Sequence, residues 1–566
     1  MKYQNYPIEC YEDLRQMLRA SAEKYGNKPL FLQKENGSYR SYSYKKYYAD
    51  VCGLGTALCK RGFAGKRIVL MGENCYAWAV AYMAVVCGVG VVIPLDADLS
   101  DVESEKLALM ADADAIICAD TLLSRFSRLD KKIVRIPFSK LPLMIAWGKQ
   151  QLKEGETSYT NAKLKPRELC ALLFPSGVTG ETRGVMLSHY NLCFNISEIC
   201  RMVCIDQNDV FLSVLPLHHI YECTCGFLCQ IQRGCTVAFA EGLKYIGKNL
   251  KEIRPTVINC VPSMVDGMYQ RLWENIRRCG AEESVRRVIG ATNAVPNPKL
   301  RLKARRQSFV SIHKSFGGRL RMIVTGGALA NPDTLKGMRE LGILVLQGYG
   351  MTECAPVVAL NRDTCYKDDA VGLPTPNTLL DIANMQEDGV GEIRYRGDSV
   401  MLGYYRMPEL TASVIRDGWY YTGDLGYLDS DGFLHLIGRK RNVISGASGK
   451  KVFPEEIEAM LRHSELILEA IVVGYPNTQG GEPHIVALIY PNRTRITEIA
   501  GGETSEAHVE NAVHRVIAEV NGALPTYKRI ETFLLRDREF PKTATRKIKR
   551  AGLAEAAFAS YLEKIR

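Results

Sequence analysis

The stretch LLFPSGVTGETRGVMLSH, residues 172–189, decides how this chain is read. An apolar run leads into a loop of small and hydroxyl-bearing residues and then out into apolar sequence again. Glycines at 177, 180 and 184 let the backbone approach a ligand closely, Ser176, Thr179 and Thr182 offer hydroxyls, and Arg183 offers a charged planar fork. Such a loop suits a polyphosphate. It is not the loop of kinases and GTPases: counted from Gly177, Thr182 and Arg183 stand where G-x-x-x-x-G-K-[ST] requires Gly and Lys. Taken alone, the segment also reads as an ordinary Gly/Thr-rich strand-to-helix turn, so its partners along the chain decide between the two.

With 566 residues, 46% hydrophobic and 24% charged, the chain can bury a large core and divide into more than one domain. The polar start MKYQNYPIECYEDLRQ lacks the basic-then-apolar pattern of a secretory signal, which points to a cytoplasmic protein. All 18 cysteines precede residue 366 at irregular spacings, as expected of reduced thiols packed as small hydrophobes. Cys223, Cys225 and Cys229, just after His218 and His219, lack the usual spacing of a zinc site. The apolar stretch 77–95 is long enough to cross a bilayer, but Gly88, Gly90 and Pro94 divide it into a core helix and a buried strand, VVIPL.

The formal charge of +11 is partly local: Lys299, Arg301, Lys303, Arg305 and Arg306 form one group, Arg546, Lys547, Lys549 and Arg550 another. Solvated helix faces, polyanionic substrates and peripheral contact with the anionic inner face of a membrane all suit these runs. Nucleic acid does not, because no reading motif accompanies the charge and aromatics are not interleaved with it.

Through the first half, Val/Ile-rich runs alternate with helical patterns: RIVLMG (67–72), VVIPL (91–95), AIIC (115–118) and KIVRIP (132–137). The series continues with VFLSVLPL (210–217), TVINCV (256–261), RMIVTGG (321–327) and ILVLQGYG (343–350). This alternation predicts helix-covered, parallel-rich sheets, with ligands at the strand ends. From about Val371 glycine-punctuated alternation predicts an antiparallel sheet closing into a small β-barrel over 371–440. Beyond it, 441–566 reads as a smaller α+β domain: helix PEEIEAMLRH, strands ILEAIVVG and PHIVALIYPN, and a helix over 509–521. The fold class is thus α/β, a large N-terminal domain over 1–440 hinged to a smaller mobile one.

Five motifs line up: FPSGVTGETRG, TGGALA (325–330), QGYGMTE (347–353), YYTGDLG (420–426) and PKTATRKIKR (541–550). In this order, over essentially the whole chain, they resemble the adenylate-forming superfamily of AMP-binding enzymes. LPLHHIYE (215–222), VPSMVDGMYQRL (261–272) and GRKRNVISGASGKKVFPEEIE (438–458) are most similar to its long-chain fatty acyl-CoA synthetases.

The resemblance implies a ligase that joins a medium- or long-chain fatty acid to the α-phosphorus of ATP, expels pyrophosphate, and passes the acyl group to coenzyme A. It assigns Lys547 to the developing charge on the α-phosphoryl oxygens, Thr352 to the α-phosphate and Glu353 to Mg²⁺. Ser176, Gly177, Thr179, Gly180 and Arg183 would cradle phosphate. Tyr349, after Gly348, would pack on adenine, with Gly326, Gly327 and Ala328 lining its other side. Asp424 would accept from the ribose hydroxyls, Arg439 would reach ribose or phosphate, and His219 matches a pocket histidine beside the carboxylate. Arg441 or Asn442 is the expected hinge, exchanging Lys547 for a pantetheine channel between half-reactions.

The chain also departs from the family pattern, which reads like TSGTTGxPKG: Pro175, Val178, Thr182 and Arg183 replace Thr, Thr, Pro and Lys, and Arg546 replaces the glycine before the lysine. Two other functions fit the same residues. One is acyl transfer to the phosphopantetheine of a carrier protein; the other is a non-catalytic acyl or nucleotide binder with an altered phosphate loop.

Overall fold

The computed structural model describes residues 3–175, 182–445, 450–475, 483–502, 505–543, 548–550 and 552–553. Two sheets carry most of the chain. In the nine-stranded sheet, the parallel strands Leu344–Gly350, Met322–Thr325, Val257–Cys260, Val210–Ser213, Thr236–Phe239 and Pro29–Glu35 lie side by side. Antiparallel strands close its two edges, Val357–Leu360 and Leu373–Pro374 on one side and Ser38–Ser43 on the other. Val257–Cys260 and Thr236–Phe239 are buried at every position, the pattern of strands covered by helices on both faces.

The second sheet, of seven strands, runs Gly403–Tyr404, Val185–Ser188, Leu169–Leu173, Gly90–Leu95, Lys66–Met71, Ala115–Cys118 and Val134–Pro137. The stretch 77–95 is divided as its glycines and proline dictate. Helix Tyr76–Ala84 loosens into one wide turn, Val85–Val89, and strand Gly90–Leu95 follows. A side chain on Gly90 would meet the Lys66 carbonyl oxygen at 2.1 Å, so only glycine permits this approach to the neighbouring strand. Trp78, fully buried, stacks on Tyr82 and anchors the layer between the sheets.

Two expectations are corrected. Residues 371–440 do not close into a barrel. Leu379–Ala383, Gly391–Arg396 and Trp419–Leu428 form an open antiparallel sheet whose far edge is shared by Ile415–Arg416 and Leu434–Arg439. The ten-residue strand Trp419–Leu428 is long enough to pair with two short strands in succession, so the sheet ends in an edge where a barrel would have a seam. The strand expected over 210–217 stops at Ser213; the Asn74 side chain takes over there, donating to the Leu215 carbonyl (2.7 Å) and accepting from Leu217 N–H (2.8 Å).

The C-terminal part pairs Ile467–Tyr475 antiparallel with His484–Pro491, which pairs parallel with Thr532–Leu535. Helices Pro454–Arg462 and Glu506–Ala523 complete a core of its own, around Ile457, Val472, Ala487 and Val513. It rests on the preceding sheet through Phe453, packed with Val390 and Leu425, and through Glu455, which lies against Gly438. No helix among the described residues is long and apolar enough to cross a membrane.

Candidate active site at the strand ends

The opening stretch folds as a hairpin rather than a strand-to-helix turn: Leu169–Leu173 and Val185–Ser188 are antiparallel, with Leu173 opposite Val185. Helix His189–Met202 begins only after the second strand, capped by Ser188 and Asn191. Of the loop's expected phosphate ligands, Ser176, Gly177, Thr179 and Gly180 lie outside the described residues, as does Lys547. Arg183 lies inside them. Its guanidinium stands 5.8 Å from the centre of the Tyr404 ring, and Tyr404 pairs with Val185 across the sheet edge.

The YGMTE motif explains itself by a tight reversal. Strand Leu344–Gly350 ends where a side chain on Gly350 would sit 2.1 Å from the Pro356 carbonyl oxygen, and Met351 N–H donates to that same oxygen at 2.9 Å. The chain therefore makes a single turn, Thr352–Cys354, before returning as Val357–Leu360. Thr352 is buried and Glu353 half-buried. The Glu353 carbonyl accepts from Met401 N–H (2.8 Å), and its Oε1 accepts from the Tyr404 hydroxyl (2.9 Å). Thus Arg183, Tyr404 and Glu353 form one line along the end of the two sheets.

Tyr349 and Asp424 form the second half. The Tyr349 hydroxyl donates to Asp424 Oδ2 at 2.7 Å, and Arg439, directly across from Asp424 in the antiparallel pair, places Nε 3.0 Å from Oδ1. Burial, then the Asp424 charge, push the Tyr349 hydroxyl well above its ordinary range, so it stays a donor. The Asp424 charge in turn pushes Arg439 up. Burial, then Arg439, Arg183 and Arg550, push Arg441 down, against the opposing pull of Asp424. Arg439 and Arg441 therefore both feel the Asp424 carboxylate, and Glu353 and Glu455 act on Arg439 as well.

The glycine motif TGGALA meets this group from the neighbouring strand. Gly326 faces the Gly348 carbonyl, with 3.3 Å left for a side chain, and on its other flank lies the Tyr221 ring. Gly327 adopts φ +88° and, with Ala328, is exposed. Tyr221 donates to the Val324 carbonyl at 3.0 Å, and His219 Nδ1 accepts from Tyr221 N–H at 3.3 Å, which brings the LPLHHIYE segment to the same end of the sheet. The structure thus gathers Arg183, Gly326, Gly348, Tyr349, Thr352, Glu353, Asp424 and Arg439, with His219 on the adjoining wall.

Sequence reasoning missed Tyr404, Asn74 and the hydroxyl contact by which Tyr349 holds Asp424. Tyr404 lies in the unremarkable run LGYYR, and nothing in its spacing marks it. Among the described residues no three His, Cys, Asp or Glu side chains are grouped to hold a metal ion. A lone carboxylate beside a threonine hydroxyl fits Mg²⁺ brought in with substrate phosphates, and does not fit a metal caged by protein alone. A separate cleft of about 440 Å³, lined by Tyr42, Tyr76, Val80, Phe138, Ile145 and Lys149 among others, shares no residue with this site. Its buried carboxylate, Asp50, is already satisfied by Lys46, Lys149 and Tyr76.

Comparison with known proteins gives the family of the chain. The chain is 28% identical over 545 residues to the long-chain-fatty-acid–CoA ligase FadD15 of Mycobacterium bovis, covering 89% of this chain and 88% of that protein. It is 27% identical to long chain acyl-CoA synthetase 1 of Arabidopsis thaliana, covering 81% of this chain and 74% of that one. Among solved structures, ATP-bound MatB of Rhodopseudomonas palustris superposes with a TM-score of 0.76 at 23% identity, over 97% of this chain and 100% of that one, which shows a shared fold. The model of the AMP-binding enzyme family matches residues 18–405 and that of the AMP-binding enzyme C-terminal domain matches 441–566; this chain belongs to the AMP-binding enzymes.

Proposed function

We propose that the chain is an acid–thiol ligase that activates a medium- or long-chain fatty acid with ATP, releases pyrophosphate, and transfers the acyl group to coenzyme A. The observation that carries this reading is the cluster at the strand ends in which Tyr349 and Arg439 fix the Asp424 carboxylate, with Glu353 held by Tyr404 beside it, an arrangement suited to a ribose and its phosphates. The relatives are named for long-chain fatty acids and coenzyme A, which supports the choice of both substrates.

In this reading Asp424 receives the ribose hydroxyls while Tyr349 and Arg439 fix its two oxygens; a carboxylate has about four lone-pair sites, enough for all of these donors. Thr352 donates to the α-phosphate, and Arg183 with Ser176, Gly177, Thr179 and Gly180 holds the outer phosphates. Adenine lies between the Tyr349 side and the exposed backbone of Gly326, Gly327 and Ala328. Glu353 would hold Mg²⁺, which neutralises phosphate charge. His219 stands by the fatty carboxylate. Residues 1–440 form one domain and 441–566 a mobile one turning at Arg441 or Asn442, which delivers Lys547 to the α-phosphoryl group where negative charge builds up during adenylation.

The test is pyrophosphate release from ATP across acids from acetate to long saturated chains and aromatic acids, with coenzyme A and a phosphopantetheinyl carrier protein offered in parallel as acceptors. Release dependent on chains of roughly eight carbons or more, with acyl-CoA as product, is the expected outcome. ATP binding with no acid-dependent release would overturn the proposal in favour of a non-catalytic binder, and acyl transfer to the carrier alone would replace coenzyme A as acceptor.

A further inference from the structure

Beneath this site lies a carboxyl group to which no role has been given. Glu222, the last residue of LPLHHIYE, is 1% exposed at the start of the wide turn Glu222–Leu228. Its Oε1 accepts from the Ser213 hydroxyl at 2.7 Å, while Oε2 has no hydrogen-bond partner among the described residues. The carboxyl lies against the backbone of Gly226, where a side chain carbon would be 2.4 Å from it. Ser213 itself accepts from the Asn74 amide at 3.0 Å, and the same amide group of Asn74 holds Leu215 and Leu217. A continuous polar chain, Asn74 to Ser213 to Glu222, therefore fastens the LPLHHIYE turn to the end of strand Val210–Ser213. Asn259, on the next strand, is the other polar group beside the carboxyl.

The groups that face Glu222 carry no positive charge. Besides Ser213 and Asn259, the titratable groups that feel its charge are the Tyr221 hydroxyl and the thiols of Cys223, Cys225 and Cys260. Burial pushes all four up, Cys223 to about 12, so none ionises near neutral pH. An ionised carboxylate in such surroundings would be desolvated with only the Ser213 hydroxyl and the neighbouring Asn259 amide to offset the loss and no cation beside it, a cost that a protonated acid avoids. Burial accordingly pushes the Glu222 carboxyl up to about 8.

We propose that Glu222 is a positioning residue that works as the uncharged acid, pinning the turn that bears His219 and Tyr221 to the strand ends beneath the nucleotide site. Loss of its proton places a buried anion without a counter-charge next to Tyr221 and loosens that turn. The proposal deepens the ligase reading and rests on it for the activity readout, but its second readout does not.

The first measurement is the pH dependence of pyrophosphate release for the wild type and Glu222→Gln. The wild type is expected to lose activity about tenfold per pH unit above pH 8, through a raised KM for the fatty acid, and Glu222→Gln to keep its activity through that range. A residue with a merely structural role would leave the same alkaline limb in both proteins, and identical limbs would overturn the proposal. The second measurement is the thermal unfolding midpoint of both proteins from pH 5 to 9.5, which needs no turnover and so stands even if the ligase reading fails. A carboxyl raised in the folded state favours folding fully only below its unfolded value, and that advantage is lost as pH rises through about 8. The wild-type midpoint should therefore fall relative to Glu222→Gln between about pH 5 and 8 and run parallel above; a difference constant with pH would sink the idea.

Discussion

The ribose end and the phosphate end of the proposed site are built differently. At the ribose end, Tyr349, Asp424 and Arg439 sit on regular strands and are hydrogen-bonded to one another before any ligand arrives. The residues proposed for the phosphate end fall in sequence between two hairpin strands, and those at 175, 178, 182 and 183 differ from the pattern TSGTTGxPKG. Groups fixed by one another during folding lose little freedom on binding, and each depends on the others to stay in place. Specificity for the nucleoside should therefore reside in the strands and tolerate little change. The phosphate grip, spread over several backbone and side-chain donors, should tolerate substitution.

The largest expected effect comes from the one cation proposed to arrive from outside either end. Lys547→Ala should lower acyl-AMP formation by about 100- to 1,000-fold, the range found when a single preorganised donor to a developing charge is removed. Thioester formation from preformed acyl-AMP should stay within a few-fold of wild type, because the lysine serves only the first geometry. Measuring the half-reactions separately decides it: equal loss in both would mean that Lys547 holds the fold or the hinge.

An intermediate effect tests the ribose end. Asp424→Ala leaves the Tyr349 hydroxyl buried without its acceptor and Arg439 without its counter-charge. The unsatisfied buried Tyr349 hydroxyl costs about 1–3 kcal/mol and the nucleotide loses the acceptor proposed for its ribose, so the KM for ATP should rise roughly tenfold to hundredfold. Tyr349→Phe removes a donor but keeps the Asp424–Arg439 pair, a net loss of about 0.5–1.5 kcal/mol, or a few-fold in KM. ATP–pyrophosphate exchange kinetics rank the two. If Tyr349→Phe proved as damaging as Asp424→Ala, the tyrosine hydroxyl would be acting on the nucleotide itself and not through the aspartate.

These differences also mark how far the sequence could be read. Most strands were legible because a strand covered on both faces must be an apolar run, as AIIC and TVINCV are. The division of 77–95 was legible because glycine and proline act locally. Barrel closure was not, since it depends on which edge of Trp419–Leu428 each short strand finds, a long-range choice that alternation does not encode. In the site, residues with motif neighbours stood out, whereas Tyr404 and Asn74 act across separations of 51 and about 140 residues and carry no local signature. Glu222 closed a recognised motif, yet its burial, which sets its chemistry, is a property of packing alone.

The smallest expected effect sharpens the comparison most. Val178→Thr adds back one hydroxyl donor, worth a net of about 0.5–1.5 kcal/mol if it reaches a phosphate oxygen. Arg183→Lys keeps the charge but gives up the planar group that faces the Tyr404 ring, a contact worth about 0.5–1 kcal/mol at such a site. The two changes act in opposite directions and are close in size, so the double variant should release pyrophosphate within about threefold of wild type, with each single variant displaced to its own side. A gain above about tenfold in the double variant would mean that the phosphate end is as exacting as the ribose end, and that its present residues hold the enzyme back.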